Sequence, residues 1–134
     1  MNIKVRGFGP FLQIFDMPTS IRFYRDILGF EVRGTSSPEN YFWAVLKLGP
    51  AGLILHAAYE DGKRPPAPDA NRVAAHEDTT FYLYCDDLDD LYEYLQRRGV
   101  TVSPPKLTDG EWTLHVKDPD GYGLCFHHVA KRPS

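Results

Sequence analysis

At 134 residues, with 43% hydrophobic and 13% aromatic content, the chain is sized for one domain around one core and excludes two independently folding ones. Charged residues make up 25% and nearly balance to a formal net charge of -3, so no long-range field draws in nucleic acid or an anionic membrane. No apolar run approaches the roughly 20 residues of a membrane helix, and Met1 to Pro10 lack the charged-then-apolar build of a signal peptide, which together predict a cytoplasmic protein.

The first predicted element is a strand, Pro10-Phe-Leu-Gln-Ile-Phe-Asp16, followed by a helix from Thr19 to Leu28 with Ile21, Tyr24 and Leu28 on one apolar stripe. Asp16 or Thr19 can cap that helix, and Gly29 stands where a left-handed terminator belongs, ahead of a strand through Val32. Strands are predicted at Tyr41 to Leu48 and Leu53 to Ala58, with Gly49-Pro50 turning between them. Glu60 to Asp78 contains Pro65, Pro66 and Pro68, which cannot supply regular ladder or helix hydrogen bonds, and reads as a linker or a lid. Thr79-Thr-Phe-Tyr-Leu-Tyr-Cys85 is the next strand. A helix from Leu88 to Arg98 follows, with Leu88, Leu91 and Leu95 as its stripe, Asp87 as its cap and Gly99 as its stop. Gly99-Val-Thr-Val102 leads into another strand. Trp112 to Val116 and Gly123 to Val129 complete the set, parted by the Asp118-Pro-Asp-Gly121 turn.

This order repeats itself. Asp16 matches Asp87 at a shift of 71 and Gly29 matches Gly99 at 70, so a one-residue deletion falls inside the second helix. The reading is an α+β domain over residues 1–134 made of two related βαβββ modules, about 8–58 and about 79–130, joined by the segment 59–78. Cys85 and Cys125 sit in strand-like apolar runs, which fits reduced thiols better than a disulfide framework.

Two motifs carry a family likeness. Phe23-Tyr-Arg-Asp-Ile-Leu-Gly-Phe30 resembles the FYrdvLGF element of the vicinal-oxygen-chelate superfamily, which includes glyoxalase I, extradiol dioxygenases and bleomycin or fosfomycin resistance proteins. Asp118-Pro-Asp-Gly121 resembles that superfamily's DPDG turn before the final strand. The likeness covers nearly the whole chain. It implies a curved mixed sheet with an outer helix in each half, the two sheets making a cup whose inner face is the binding site, and a homodimer. In the metal-using members, four inner-face positions in the first and last strands of the halves carry His, Gln or Glu. Carried over, they fall at Gly9 (Pro10 if the register slips), Leu55 (His56 if it slips), Thr80 and Cys125. Glycine, threonine and leucine cannot supply the converging oxygen or imidazole ligands of a divalent metal, and one thiolate does not hold zinc. No metal cofactor is therefore expected. The alternative is one divalent ion on an unusual set, His56, His115 and His127.

Strand alternation says what would line such a cup instead, because residues two apart share a face. Phe11, Gln13 and Phe15 share the face of Gly9. Thr80, Tyr82 and Tyr84 share another, and Gly123, Cys125 and His127 a third. Trp43 and Trp112 are placed near the same cavity, with the faces of their strands unfixed until register is known. The candidate ligand-binding residues are thus Gln13, Phe15, Trp43, His56, Tyr82, Tyr84, Trp112, Cys125 and His127. They form an aromatic wall with a few hydrogen-bonding tips, suited to a planar or amphipathic small molecule. The same aromatics could instead fill a closed core. Asp86, Asp87, Asp89 and Asp90 suit a helix start through its dipole and are read as solvated caps. No glycine-rich phosphate loop, Gly-x-Ser-x-Gly elbow or paired-cysteine zinc motif appears.

The leading expectation is a metal-independent protein of the glyoxalase and bleomycin-resistance kind that binds an aromatic or amphipathic compound. A metal-dependent glyoxalase-like lyase, isomerase or dioxygenase is the alternative. A metal-free enzyme using His127, Cys125 or Tyr82 is a further one, for which no triad-like arrangement is legible.

Overall fold

Capping carboxylates and terminal glycines set where each helix begins and ends in the computed structural model, which describes residues 1–60 and 62–130. Strand β1 (Phe11–Ile14) leads into α1 (Met17–Ile21), whose start is fixed by the Asp16 carboxylate accepting from the Thr19 backbone N–H at 3.3 Å and from the Thr19 hydroxyl. The helix widens into a π-helical turn over Arg22–Ile27, with Leu28 N–H donating to Phe23 C=O at 3.0 Å, and stops at Gly29, whose φ is +87°. Strands β2 (Glu31–Thr35), β3 (Trp43–Leu48) and β4 (Ala51–Ala57) complete the first sheet, ordered β1-β4-β3-β2 with β1 and β4 parallel and the other pairs antiparallel.

The second sheet repeats that plan. Strand β5 (Thr80–Tyr84) leads to α3 (Leu88–Arg97), capped by Asp87 accepting from Asp90 N–H at 3.3 Å and stopped by Gly99 at φ +77°. Then come β6 (Lys106–Thr108), β7 (Glu111–Lys117) and β8 (Gly123–Val129), in the order β5-β8-β7-β6 with β5 and β8 parallel. The fold is α+β with two open mixed sheets, and the chain divides into two compact units, Met1–Ala67 and one beginning at Pro68, each holding one sheet.

In the first unit Ile21 and Tyr24 of the helical segment are buried with Leu12, Ile14, Ala44, Leu46, Leu53 and Leu55. Tyr24 meets Phe23 and Phe30 edge-on, at ring centroid distances of 5.0 and 5.6 Å. In the second unit Leu88 and Leu95 are buried with Leu114, Val116, Leu124 and Phe126. No helix among the described residues is long and apolar enough to cross a membrane.

Two elements differ from the sequence reading. The strand expected directly after Gly99 begins only at Lys106, since Pro104 and Pro105 cannot donate to a ladder and pairing with β7 starts at Lys106 opposite Thr113. The proline-containing segment also holds regular structure: once its last proline is passed, Asp69 caps α2 (Ala70–Ala75) by accepting from Asn71 and Arg72 N–H, and a 3-10 turn follows over His76–Asp78. This stretch is anchored on the Asp118-Pro-Asp-Gly turn within the second unit. The His76 Nδ1–H donates to the Asp120 carbonyl at 2.7 Å, and its ring stacks on Tyr122 at 4.0 Å. The turn is itself knotted by the buried Asp118 carboxylate, which accepts from Asp120 and Tyr122 N–H at 2.8 and 2.9 Å.

Candidate functional site on the open sheet faces

Strand register settles which side chains share a face. In the first sheet Gln13 pairs with His56 and His56 with Trp43, while Phe11 pairs with Ile54. By the alternation of the strands these residues stand opposite Leu12, Ile14, Ala44, Leu46 and Leu55, which are buried in the core. In the second sheet Tyr84, His127 and Thr113 form one row and Tyr82, Cys125 and His115 the next, opposite the buried Leu114, Val116, Leu124 and Phe126. The pairs Phe11–Ile54 and Gln13–His56 fall on Tyr82–Cys125 and Tyr84–His127 at a shift of 71, so the internal repeat extends to register.

On the first sheet the His56 ring is boxed by two phenyl rings, Phe11 at 5.1 Å and Phe42 at 4.7 Å. Its Nδ1 is sealed from solvent and has no hydrogen-bond partner. Trp43 lies beside it, with its Cζ3 3.8 Å from where a Cβ on Gly34 would stand. Phe42 also lines a cavity of about 460 Å³ with Phe15, Asp16, Tyr41, Tyr59 and Arg64. There the Arg64 guanidinium sits 5.3 Å above the Phe15 ring and pairs with the Asp16 carboxylate. Burial alone would raise the Asp16 carboxyl, but the Thr19 hydroxyl and Arg64 together hold it below the ordinary carboxylate value.

On the second sheet His127 is 8% exposed, with Tyr82 at 5.1 Å and Tyr84 at 4.6 Å from its ring. Its Nδ1 is also sealed and without a hydrogen-bond partner, and Glu111 Oε1 lies 3.4 Å from it. Cys125 is fully buried, and its Sγ stands 3.8 Å from His115 Nε2. Burial pushes the Cys125 thiol up, a hydrogen bond with Tyr82 opposes this, and the Glu111 charge adds to it. The thiol is therefore a protonated, weakly nucleophilic group.

The candidate residues thus fall into two clusters. Gln13, Phe15, Trp43 and His56 belong to the first unit, and Tyr82, Tyr84, Cys125 and His127 to the second. Trp112 stands apart from the second cluster. It pairs with His128 on the opposite face from His127 and lines a separate cavity of about 260 Å³ with Asp86, Asp87, Leu88, Asp89 and Pro105. Sequence reasoning missed Phe42 and Glu111. Alternation from Thr113 and His115 places Glu111 on the His127 face, and that signal was available once β7 was extended by one residue.

The Glyoxalase/Bleomycin resistance protein/Dioxygenase superfamily profile matches residues 9–126. The chain belongs to this superfamily. A lactoylglutathione lyase from Haemophilus influenzae is 30% identical over 125 residues, 86% of either chain. Among solved structures the chain is similar to an antibiotic-binding protein from Streptomyces, at 21% identity and a TM-score of 0.70 over 96% of this chain and 100% of that one. It is likewise similar to a virulence protein from Salmonella typhimurium, at 19% identity and a TM-score of 0.65 over 97% and 100%. At those identities the structures speak for the fold alone.

For this superfamily member the implied metal positions do not form a donor set. Gly9 offers no side-chain ligand, and Leu55 faces the core at 0% exposure. The open-face neighbours of Leu55 are Ile54, which is the counterpart of Cys125 at a shift of 71, and His56, the slipped alternative. Thr80 supplies one hydroxyl, and Cys125 a buried thiol that burial keeps protonated. Among the described residues there is no group of three or more His, Cys, Asp or Glu side chains that could hold a metal ion. The side chains at these four positions thus offer one hydroxyl and one thiol kept protonated, which is too few donors for a divalent ion.

Proposed function

We propose that this superfamily member binds an aromatic or amphipathic small molecule on its open sheet faces, without a metal ion. The observation that carries this reading is the pair of ring-boxed histidines, His56 between Phe11 and Phe42 and His127 between Tyr82 and Tyr84. Around them large apolar side chains meet solvent: Phe11 is 55%, Tyr82 61% and Tyr84 76% exposed. Rings that could bury their area in the core but stand instead on a sheet face mark a binding surface, with flat π faces for stacking and a few polar tips for orientation. The similar Streptomyces protein is described as antibiotic-binding, which supports capture of a small molecule as an activity this fold hosts.

The relative named as a lactoylglutathione lyase favours a second reading, a metal-dependent lyase. Elemental analysis of protein purified without chelators, followed by titration of aromatic compounds against tryptophan fluorescence, separates the two. Metal-free protein whose emission is quenched saturably is the expected result. Stoichiometric zinc, nickel, iron or manganese would overturn the metal-free reading, and absence of saturable quenching by any aromatic compound would overturn the binding one.

A further inference from the structure

Both histidines occupy equivalent places in the repeat, yet only one of them has a carboxylate beside its ring. His56 has Gln13 and Trp43 as its register neighbours on the open face, and no carboxylate in either place. His127 has a carboxylate oxygen of Glu111 3.4 Å from its Nδ1. A sealed, unpaired ring nitrogen at 8% residue exposure is costly, and an acceptor-only carboxylate at this distance relieves the cost only if Nδ1 carries the proton. In the neutral ring that assignment leaves Nε2 as the lone-pair acceptor. The Glu111 charge behind the ring strengthens it as an acceptor.

Tyr82 and Tyr84, well exposed themselves, have ring centroids 5.1 and 4.6 Å from that of His127, so a flat ligand stacked on either phenol stands next to the imidazole. The ligand atom that such a place rewards is a hydrogen-bond donor on an aromatic edge. An ether or carbonyl oxygen at the same position would face a lone pair and lose its water without compensation.

We propose that the Glu111–His127 pair is a recognition element for an aromatic hydroxyl, so that the bound compound is a phenol or naphthol docked hydroxyl-first against His127. This rests on the binding function proposed above and names the chemical class of its ligand. Glu111 is a positioning residue, acting through the tautomer and polarity of His127. No bond is made or broken.

A pair of probes that differ only at the hydroxyl tests it. Binding of 2-naphthol and 2-methoxynaphthalene is measured by calorimetry on the intact protein, alongside Glu111→Ala and His127→Phe. A hydrogen bond to a polarised acceptor is expected to favour 2-naphthol by about tenfold, and the ratio is expected to fall to about one in both variants while 2-methoxynaphthalene binding persists. His127→Phe keeps a flat ring in the box, and Glu111 has a side chain 40% exposed, so both variants are expected to fold, which circular dichroism checks. Equal affinity of the wild type for the two probes, or a preference that survives Glu111→Ala, would overturn this inference and leave the binding function standing. Failure of both probes to bind would remove the two together.

Discussion

Asp16 acts at three places in the first unit: it caps α1 through Thr19, pairs with Arg64, and lines the cavity beside Phe15. Removing a capping side chain costs about 1–2 kcal/mol, so Asp16→Ala is expected to lower stability by that amount near neutral pH. The sign of its pH dependence follows from the lowered carboxyl pKa. Stabilisation is complete above the unfolded value of about 3.9 and is lost as pH falls through the lower folded value. Urea unfolding at a series of pH values should therefore show the gap between wild type and Asp16→Ala closing below about pH 4; a gap that stays constant would show that the carboxylate charge contributes nothing. The two thiols offer a second contrast. Cys125 is buried with its thiol pushed up, whereas Cys85 is half-buried. Iodoacetamide near neutral pH is expected to label Cys85 first and to reach Cys125 only on unfolding, as read by peptide mass spectrometry. Early labelling of Cys125 would contradict a protonated, sealed thiol.

At the scale of elements, the close approach of α2 to the turn before β8 depends on the absence of one side chain. A Cβ on Gly121 would lie 2.7 Å from the Val73 carbonyl oxygen, and the residue's φ of +89° is one that side chains rarely adopt. Gly121→Ala is expected to cost at least about 2 kcal/mol, from backbone strain and the clash together. In urea the midpoint should fall with the slope unchanged, and an unaltered midpoint would mean that α2 is not held against the turn. This contact also marks how far elements were legible in advance. Asp16, Gly29, Asp87 and Gly99 placed two helices because capping chemistry is local, and the shift of 71 paired the halves because duplication keeps its spacing. The last six residues of the first helical segment form a π-helical turn, which apolar periodicity alone does not distinguish from an α-helix. Which face a residue takes depends on register. A one-residue slip exchanges Leu55 for His56, and only pairing with Gln13 puts His56 on the open side. Trp112 lies away from His127 for the same reason, being its register neighbour's neighbour. Proximity of Glu111 to His127 is a property of two strands packed diagonally, which no single-strand pattern contains.

Over the whole molecule, the open faces and the missing donor set make opposite demands on two classes of added ligand. Any species that binds the folded state and not the unfolded one raises stability, by about 2.7 kcal/mol at a hundredfold excess over its Kd. For a chain of this length that is a rise in Tm on the order of 10 °C. Aromatic compounds that stack beside His56 or His127 are expected to give such a rise, growing with concentration as the sites fill. Zinc, nickel or manganese is expected to give none, because Gly9, Ile54, Thr80 and the protonated Cys125 present no converging donors and no other His, Cys, Asp or Glu triplet forms among the described residues. Differential scanning calorimetry of chelator-treated protein, with each ion and each aromatic compound added in turn, reads both classes on one scale. A large rise with a single equivalent of metal would mean that the open faces can gather ligands they do not hold together here, and would shift the function toward lyase chemistry. A rise with aromatic compounds alone would tie the stability of the fold to the surface its exposed rings create.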